Sequence, residues 1–513
     1  MARWAAAPLD RRQVTMFSPT LDDMVAQDHP VRLFDELLAQ MDWSAWERQY
    51  VQVFGQPAIH PRVLASALLY GMSQGLRSSR RLEWACRNAL DFMWLASGQS
   101  IDHSTFCDFR TRFARELKGL FRQIGRVAMA IGIVRLNQVA LDGTRVLADS
   151  SRHATAKAET LEQRLAVLDQ QVEQMMAQWE AADKNDNDLF GQSVSPNHLP
   201  RELADLKRRQ ERLAKAMKAA RDCDSAVPKV PVADPDSSVM PNKEGGYGPN
   251  YTPLAASDGQ AGMIVDVDVV AGNNEGSATL ATVDHIGEQF GQLPATLLAD
   301  TAFGSGENLE GLQQRQVQAL IPQNQRAGSA DNPARRPDPR QSVAQADWPR
   351  LPRNPKTKKL DRAAFAYCSR EDLYYCPQGH ELKFAGMQNK GAGKQSRMYR
   401  LYKCRNCPQC PLRDECLSGE ARFRKVSHDR HEPLRQAMDA RLASAEGRQT
   451  YRRRAWIAET PFAVLKTVMN FRRFLLRGLE KVKTEWLWVC TAFNVRKFVH
   501  WLAGMRVKIA AMG

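Results

Sequence analysis

Apolar residues recur at helical spacing through the first 130 residues of the chain. This pattern predicts several short helices with arginines between them. Helix starts are expected at His29-Pro, His60-Pro and Asp102-His-Ser-Thr, since each places a capping side chain or a proline at the first turn. Such an arrangement suits a helix-turn-helix-like DNA reader and equally a plain helical bundle, so both interpretations stay open.

The period of the pattern changes near residue 135, where short β-prone segments replace the helical spacing. The predicted strands are 134–141, 251–256, 263–270, 295–299 and 317–321. Helices are predicted over 277–290 and from Gly304 onward. Three neighbouring strands followed by helix, strand, helix and strand predict an α/β sheet of mixed sense.

Two heptad patterns interrupt this region. The first consists of Leu161, Leu165, Leu168, Val172, Met175 and Trp179, and the second of Leu203, Leu206, Leu213 and Met217. Breaker-rich residues 185–200 separate them. A coiled-coil hairpin over 155–222 is therefore predicted. A surface arm without chemistry is its simplest interpretation, and dimerisation is the alternative.

Composition adds a strong basic balance. The chain carries 72 Lys and Arg against 57 Asp and Glu, a formal net charge of +15. Such a surface favours a polyanion, because each neutralised phosphate releases counterions. No run approaches the roughly 18–20 apolar residues of a membrane helix, and the start, Met1-Ala-Arg-Trp, lacks the apolar stretch of a signal peptide. A cytoplasmic protein without a membrane partner is expected, so its ten cysteines are interpreted first as thiols or metal ligands.

Two aspartates follow predicted strands directly. Asp142 begins Asp-Gly-Thr, and Asp300 begins Asp-Thr-Ala-Phe-Gly. Because strand ends in α/β sheets are where ligand groups converge, and because Mg²⁺ prefers carboxylate oxygens, the pair suggests a metal site. Aspartates that merely form turns are the alternative.

A third carboxylate, Glu459, lies on a predicted helix. Arg452 and Lys466 are each seven residues away from it, so all three share one helical face. A carboxylate flanked by cations can bind metal while its neighbours hold phosphates. A solvated charged helix is the alternative interpretation.

Taken in order, these motifs resemble the DDE insertion-sequence transposases. The resemblance rests on Asp142-Gly-Thr, on Leu298-Ala-Asp-Thr-Ala-Phe-Gly-Ser, and on Tyr451, Arg454, Glu459 and Lys466 in one segment. The run from Leu476-Arg-Gly-Leu-Glu-Lys-Val through Glu485 to Asn494-Val-Arg-Lys adds to it. The layout is most similar to the eleven-eighty-two-type group, which has a helical N-terminal domain and a cysteine-containing insertion.

The resemblance implies a ribonuclease-H-like core that depends on Mg²⁺ or Mn²⁺. It makes Asp142, Asp300 and Glu459 the catalytic metal ligands. The accompanying residues Tyr451, Arg454 and Lys466 would contact DNA. One departure concerns Arg454, because four residues separate it from Glu459 where three are usual.

A cysteine-rich segment forms a second constellation. Overlapping Cys-x₂-Cys pairs supply the ligand type and spacing of Zn²⁺ sites. The candidate zinc ligands are Cys376, Cys404, Cys407, Cys410 and Cys416, with His380 nearby. Spacing leaves open which four would bind, and an iron–sulfur cluster is the alternative. The remaining cysteines are predicted to be isolated thiols, most of which fill the core: Cys86, Cys107, Cys223, Cys368 and Cys490.

Basic and aromatic residues follow Glu459. Arg472, Arg473 and Arg477 alternate with two phenylalanines and are predicted to bind DNA phosphates, with a half-buried helix as the alternative. Further on, the large aromatic residues Trp486, Trp488, Phe493 and Phe498 are predicted to be core.

Residues 322–362 have little apolar content and are predicted to be a mobile basic linker.

The predicted fold is α/β mixed, with a helical DNA-binding domain over 1–130 and a ribonuclease-H-like core that begins at 131–322. A basic linker and cysteine-rich insertion over 323–430 and a helical part over 431–513 complete it. The predicted function is metal-dependent cleavage and strand transfer of double-stranded DNA at the element ends and target, by a homodimer on DNA. A catalytically inactive, zinc-containing DNA-binding protein derived from a transposase is the alternative, and a nuclease that never rejoins ends is a third possibility.

Overall fold

The computed structural model describes residues 19–50, 57–190, 201–222, 229–242, 245–323, 332–390 and 397–510. Side chains are described for these residues except 179–190, 201, 397 and 506–510. The chain divides into two compact units. One comprises Met1–Ala128 with Ala463–Gly513, and the other is Met129–Phe462. Within the described ranges, no helix has the length and apolar character that a membrane span requires.

Helices dominate both ends of the chain, and strands dominate its middle. The helices are α1 (Leu21–Met24), α2 (Pro30–Ala39), α3 (Ser44–Glu47), α4 (Pro61–Ser73), α5 (Ser79–Asn88), α6 (Leu90–Leu95), α7 (His103–Arg112), α8 (Ala114–Ala130), α9 (Ala158–Phe190), α10 (Arg201–Arg221), α11 (Thr279–Phe290), α12 (Gly306–Gln314), α13 (Arg413–Cys416), α14 (Glu432–Ala443), α15 (Ala445–Thr467) and α16 (Leu479–Ala510). The strands are β1 (Gln138–Gly143), β2 (Val146–Leu147), β3 (Thr155–Ala156), β4 (Val230–Pro231), β5 (Ser238–Pro241), β6 (Tyr247–Asp258), β7 (Ile264–Val270), β8 (Thr296–Leu298), β9 (Gln318–Leu320), β10 (Ala366–Cys368), β11 (Leu373–Tyr375), β12 (Glu381–Lys390), β13 (Arg397–Cys404) and β14 (Lys425–His428). Short 3₁₀ turns occupy Glu275–Ala278, Thr301–Phe303, Gln345–Arg350 and Arg362–Ala364.

In the helical first unit, α2, α4 and α7 begin at the three starts that the sequence predicted. His29 and His60 each cap a helix that opens with proline, and their Nδ1 atoms accept from the amides of Val31 (3.3 Å) and Arg62 (3.1 Å). The long helix α16 packs against α2, α4 and α7. All four aromatic residues predicted as core in this helix are buried, which confirms the prediction.

The second unit contains the predicted mixed sheet. Its main strands lie in the order β7-β6-β1-β8-β9, and β2 and β5 extend β6. Strand β6 runs antiparallel to β1 and β7, whereas β1, β8 and β9 are mutually parallel neighbours. Strand β6 thus runs against the other four strands, so the sheet has the mixed sense that the sequence predicted. The α/β mixed fold class is thus confirmed.

Helix α15 covers one face of this sheet. Ile457 and Ala458 are buried against Ala140, Leu298 and Leu320, which come from three neighbouring parallel strands. The helix therefore crosses the strands close to the ends at which β1 and β8 stop.

Two long helices, α9 and α10, extend from the short strand pair β3 and β4. They pack together through Leu161, Leu168 and Leu213, which are buried. Gln210 Nε2 also donates to Asp169 Oδ1 at 2.6 Å. Residues 191–200, between the helices, and the side chain of Trp179 lie outside the described part, and the coiled coil stays a prediction.

A second, antiparallel sheet follows β9 in the chain. Its strand order is β10-β11-β12-β13-β14, and it contains most of the cysteine-rich segment. Buried residues from this sheet and from the preceding segment form one core cluster, separate from the main sheet. The sequence analysis predicted zinc ligands in this segment but did not predict a sheet.

The prediction of a mobile linker over 322–362 is wrong for residues 332–362. Val343, Leu351 and Leu360 are buried in the core of the second sheet. Arg336 donates to the carbonyl oxygens of Gln341 at 2.6 Å and Cys376 at 2.9 Å. Widely spaced apolar residues and arginine bonds to carbonyls fix this segment, although neither gives a periodic pattern. Residues 324–331 of the predicted linker lie outside the described part.

Candidate active site

The two predicted aspartates lie at adjacent strand ends. In the parallel pair of β1 and β8, Ala140 is the partner of Leu298. Asp142 and Asp300 each lie two residues further along, so they occupy equivalent positions: Asp142 is the second-last residue of β1, and Asp300 lies just past the end of β8. This is the convergence that the sequence predicted.

Asp142 is a half-buried carboxylate with a cationic neighbour. Its Oδ1 accepts from the amide of Gly143 at 2.9 Å and lies 3.3 Å from Nη2 of Arg454. Burial raises the pKa of Asp142, the Arg454 guanidinium opposes that rise, and the negative charges of Asp300 and Glu459 add to it. Asp142 therefore lies within electrostatic reach of both other carboxylates.

Asp300 also serves a local structural purpose. Its Oδ1 accepts from the amide of Ala302 at 2.8 Å and so caps the 3₁₀ turn Thr301–Phe303. The turn-forming interpretation of this aspartate is thus correct, and it is compatible with the site because the same turn fixes the carboxylate at the end of β8.

Glu459 reaches the site from helix α15. The preceding residues Ile457 and Ala458 are buried against the sheet, whereas Glu459 itself is exposed. Tyr451, two turns earlier, donates from its hydroxyl to the carbonyl oxygen of Ala299 at 3.4 Å. Burial raises the pKa of Tyr451, and Asp300 and Asp142 add to that rise. The helix therefore brings Glu459 within electrostatic reach of Asp142, and Tyr451 within reach of both aspartates.

Arg454 lies closer to the carboxylates than its predicted role in DNA binding required. Its side chain is 15% exposed and that of Asp142 is 16% exposed. In this arrangement the guanidinium balances negative charge at the strand end. A contact between Arg454 and DNA stays a prediction.

The sequence analysis missed a fourth carboxylate, Glu275. A Cβ placed on Gly143 would lie 2.8 Å from Oε2 of Glu275, so this carboxylate lies directly against the residue that follows Asp142. Glu275 stands in the turn after β7. The sequence could have indicated Glu275 only by its position shortly after the predicted strand 263–270. The loop residues between that strand and Glu275 have no periodic pattern.

The predicted basic residues after Glu459 belong to the other unit. Lys466 is half-buried in the last turn of α15, and Arg472, Arg473 and Arg477 are exposed on the segment between α15 and α16. Phe471 and Phe474 are buried. The alternative of a half-buried helix is wrong here because residues 468–478 are not helical. Binding of phosphate by these cations stays a prediction.

The five candidate zinc ligands lie together. Cys376, Cys404, Cys407, Cys410 and Cys416 line one cavity at the end of the second sheet, together with His380. Among the isolated cysteines, Cys86 and Cys490 are buried as predicted, and Cys107 and Cys368 are half-buried. Cys223 lies outside the described residues.

Another group of possible metal donors is found in the helical unit. Within the described ranges, Glu83, Asp102 and His103 bring their donor atoms within 4.8 Å of one another. His103 Nδ1 lies 2.9 Å from Glu83 and 3.4 Å from Asp102, and Asp102 caps α7. Ion pairing and capping account for this group, and we assign no metal to it.

Comparison with known families is consistent with this geometry. The family model described as Transposase DDE domain matches residues 375–499, a range that includes Glu459. The model described as Transposase domain (DUF772) matches residues 19–112 in the helical unit. Comparison with curated proteins and with solved structures gives no match.

A mixed α/β fold with transposase-domain matches in two separate parts of the chain indicates a transposase, an enzyme class that acts on DNA. More specifically, the two matches indicate a DDE-type insertion-sequence transposase, a family that depends on divalent metal ions. They do not resolve the group within that family, so the likeness to the eleven-eighty-two-type group stays a prediction.

Proposed function

We propose that this chain binds the ends of an insertion sequence and catalyses metal-dependent DNA cleavage and strand transfer through Asp142, Asp300 and Glu459. The observation that carries the proposal is the proximity of these carboxylates, which are far apart in sequence. Asp142 and Asp300 hold equivalent positions on β1 and β8, and both Asp300 and Glu459 lie within electrostatic reach of Asp142. The alternative interpretations of each residue alone do not explain this proximity.

The donor set fits a hard divalent cation. Carboxylate oxygens are the protein ligands that Mg²⁺ prefers. Burial and the two neighbouring negative charges raise the pKa of Asp142, so the ionised site gains from an added positive charge. When bound by the three carboxylates, two Mg²⁺ or Mn²⁺ ions would supply activation of the attacking oxygen and stabilisation of the leaving one.

The protein's own contribution is rigidity and charge. The parallel strands fix Asp142 and Asp300, and the buried face of α15 fixes Glu459. Arg454 reduces repulsion among the carboxylates. We assign phosphate binding to Tyr451 and to the cations that follow Glu459: Lys466, Arg472, Arg473 and Arg477.

Partner recognition completes the proposal. The helices of the first 130 residues would read the bases of the element ends, because affinity for phosphates carries no sequence information. Two ends must be joined to one target, so we propose a homodimer on DNA. The chain has 72 basic and 57 acidic residues, and this excess of positive charge supports binding of DNA, a polyanion.

The decisive experiment is a cleavage assay with Mg²⁺ on linear DNA that carries the sequences flanking this coding region. Glu459→Gln removes the charge of the third carboxylate. Glu446→Gln is the matched control, because Glu446 is exposed on the same helix α15. We expect nicking at the element ends by the wild type and the control, and DNA binding without nicking by Glu459→Gln. Nicking by Glu459→Gln at the wild-type rate would overturn the assignment.

Two further outcomes separate the alternatives. Binding without cleavage by the wild-type chain, in Mg²⁺ and in Mn²⁺, would favour the inactive DNA-binding protein. Cleavage without any joined product, when a target duplex is supplied, would favour a nuclease that does not rejoin ends.

A further inference from the structure

The thiols of the second sheet surround a small cavity of ≈ 20 Å³. A volume of this order accommodates a single atom or ion. Two turns at the same end of the sheet provide the lining. One turn joins β11 to β12 and carries Cys376, and the other begins at Cys404, the last residue of β13, and carries Cys407 and Cys410.

Four of the thiols lie within electrostatic reach of one another. Cys404 interacts with Cys376 and with Cys407, and Cys410 interacts with all three. The thiols that have Cys-x₂-Cys spacing in the second turn therefore also lie near one another and near Cys376 in the folded chain.

A backbone amide points toward one of these sulfur atoms. The amide of Arg424 lies 3.3 Å from Cys407 Sγ and donates to it. Donation from backbone N–H groups favours the thiolate form, and metal-bound ligands commonly receive such support.

The environment of Cys416 is different. This thiol also lines the cavity, but it ends the short helix α13 and lies outside the two turns that carry the other four. Cys416 therefore lies apart in the chain from the closely spaced thiols of the second turn.

We propose that Cys376, Cys404, Cys407 and Cys410 hold one structural Zn²⁺ ion, and that Cys416 is not a ligand. Tetrahedral coordination by four thiolates is a closed structural zinc site. The ion would join the two turns and, through them, the segment 332–362. Gly379 in the first turn has φ +75°, and a Cβ there would lie 2.0 Å from the carbonyl oxygen of Arg340, so this segment packs directly on the site.

Metal analysis of the full chain, purified without chelators, tests the proposal. We expect about one zinc ion per chain in the wild type. Cys→Ser variants at each of the four positions should lose most of the zinc, whereas Cys416→Ser should retain it. Cys368→Ser is the matched control, because Cys368 is a half-buried cysteine of the same sheet that does not line the cavity.

Substitution with Co²⁺ supplies a second measurement that does not depend on a variant folding. The thiolate-to-cobalt absorption of the wild type should have the intensity of four sulfur ligands and be unchanged in Cys416→Ser. Absence of metal from the wild type, or loss of metal from Cys416→Ser with retention in Cys410→Ser, would overturn the proposal. His380→Gln should bind zinc normally, and loss of zinc there would assign the fourth position to His380.

Discussion

Neutralising Glu485 should destabilise the helical unit more than any surface change in the same helix. The side chain of Glu485 is 1% exposed, and that of its partner Arg77 is 10% exposed. Arg77 Nη2 lies 2.7 Å from Oε1 of Glu485, and the amides of Leu475 and Leu476 each donate to Oε2 at 2.9 Å. The carboxylate thus holds both a buried cation and the segment between α15 and α16.

The size of the effect follows from what Glu485→Gln leaves behind. The variant keeps the shape of the side chain but leaves Arg77 as a buried cation without its counter-ion. Breaking a buried ion pair in this way costs about 3–5 kcal/mol. Since a domain is typically stable by about 5–15 kcal/mol, the loss should be a large fraction of the total free energy of unfolding.

Urea unfolding followed by tryptophan fluorescence measures this loss, because Trp486 and Trp488 are buried on the same helix as Glu485. Glu480→Gln, in the exposed first turn of α16, is the control and should change the free energy of unfolding by less than about 0.5 kcal/mol. A Glu485→Gln variant as stable as this control would refute the reasoning.

Two further predictions concern the candidate active site. Gly276→Ala would place a Cβ 2.5 Å from the carbonyl oxygen of Ala302, in the turn that fixes the second aspartate, so it should lower stability by about 1–3 kcal/mol and reduce cleavage. Gly119→Ala, whose Cβ meets nothing within 4 Å, should do neither, and equal effects of the two variants on thermal unfolding and cleavage would contradict the steric argument. Arg454→Ala removes the guanidinium that lowers the pKa of Asp142, so that pKa should rise further. Since protons compete with metal for the carboxylate, the cleavage rate of this variant should fall on acidification at a higher pH than that of the wild type, and coincident pH profiles would refute the assignment.

Local patterns were sufficient to predict five strands of the main sheet and two of its carboxylates, but not the short strands β2 and β5. Each strand is a short apolar run that ends at a turn signal, and Asp142 and Asp300 stand at those signals. Glu459 could be predicted only from its likeness to a known motif, because nothing in the pattern of α15 shows which sheet it covers.

What the sequence did not predict depends on contacts between distant residues. Trp488 donates from Nε1 to the carbonyl oxygen of Arg110 at 3.0 Å, which joins the C-terminal helix to the N-terminal helices. Arg362 pairs with Glu432 and Arg353 pairs with Glu415 around the second sheet. No periodicity in the chain indicates such partners, so the packing of residues 332–362 was not foreseen.

The wide separation of the three carboxylates has a physical explanation in the insertions. The helices α9 and α10 have their own core cluster, and the second sheet has another. Extending a connection costs little, since each doubling of loop length adds only about 0.6 kcal/mol of closure entropy. An insertion that buries its own apolar residues therefore draws little stability from the main sheet. After the second insertion, the chain returns beside β9, where the amide of Ile321 lies 3.4 Å from Sδ of the buried Met438. Met438 lies in α14, and α15 follows α14 directly in the chain. The helix that carries Glu459 therefore starts close to the main sheet, and Glu459 can approach aspartates that are far away in the sequence.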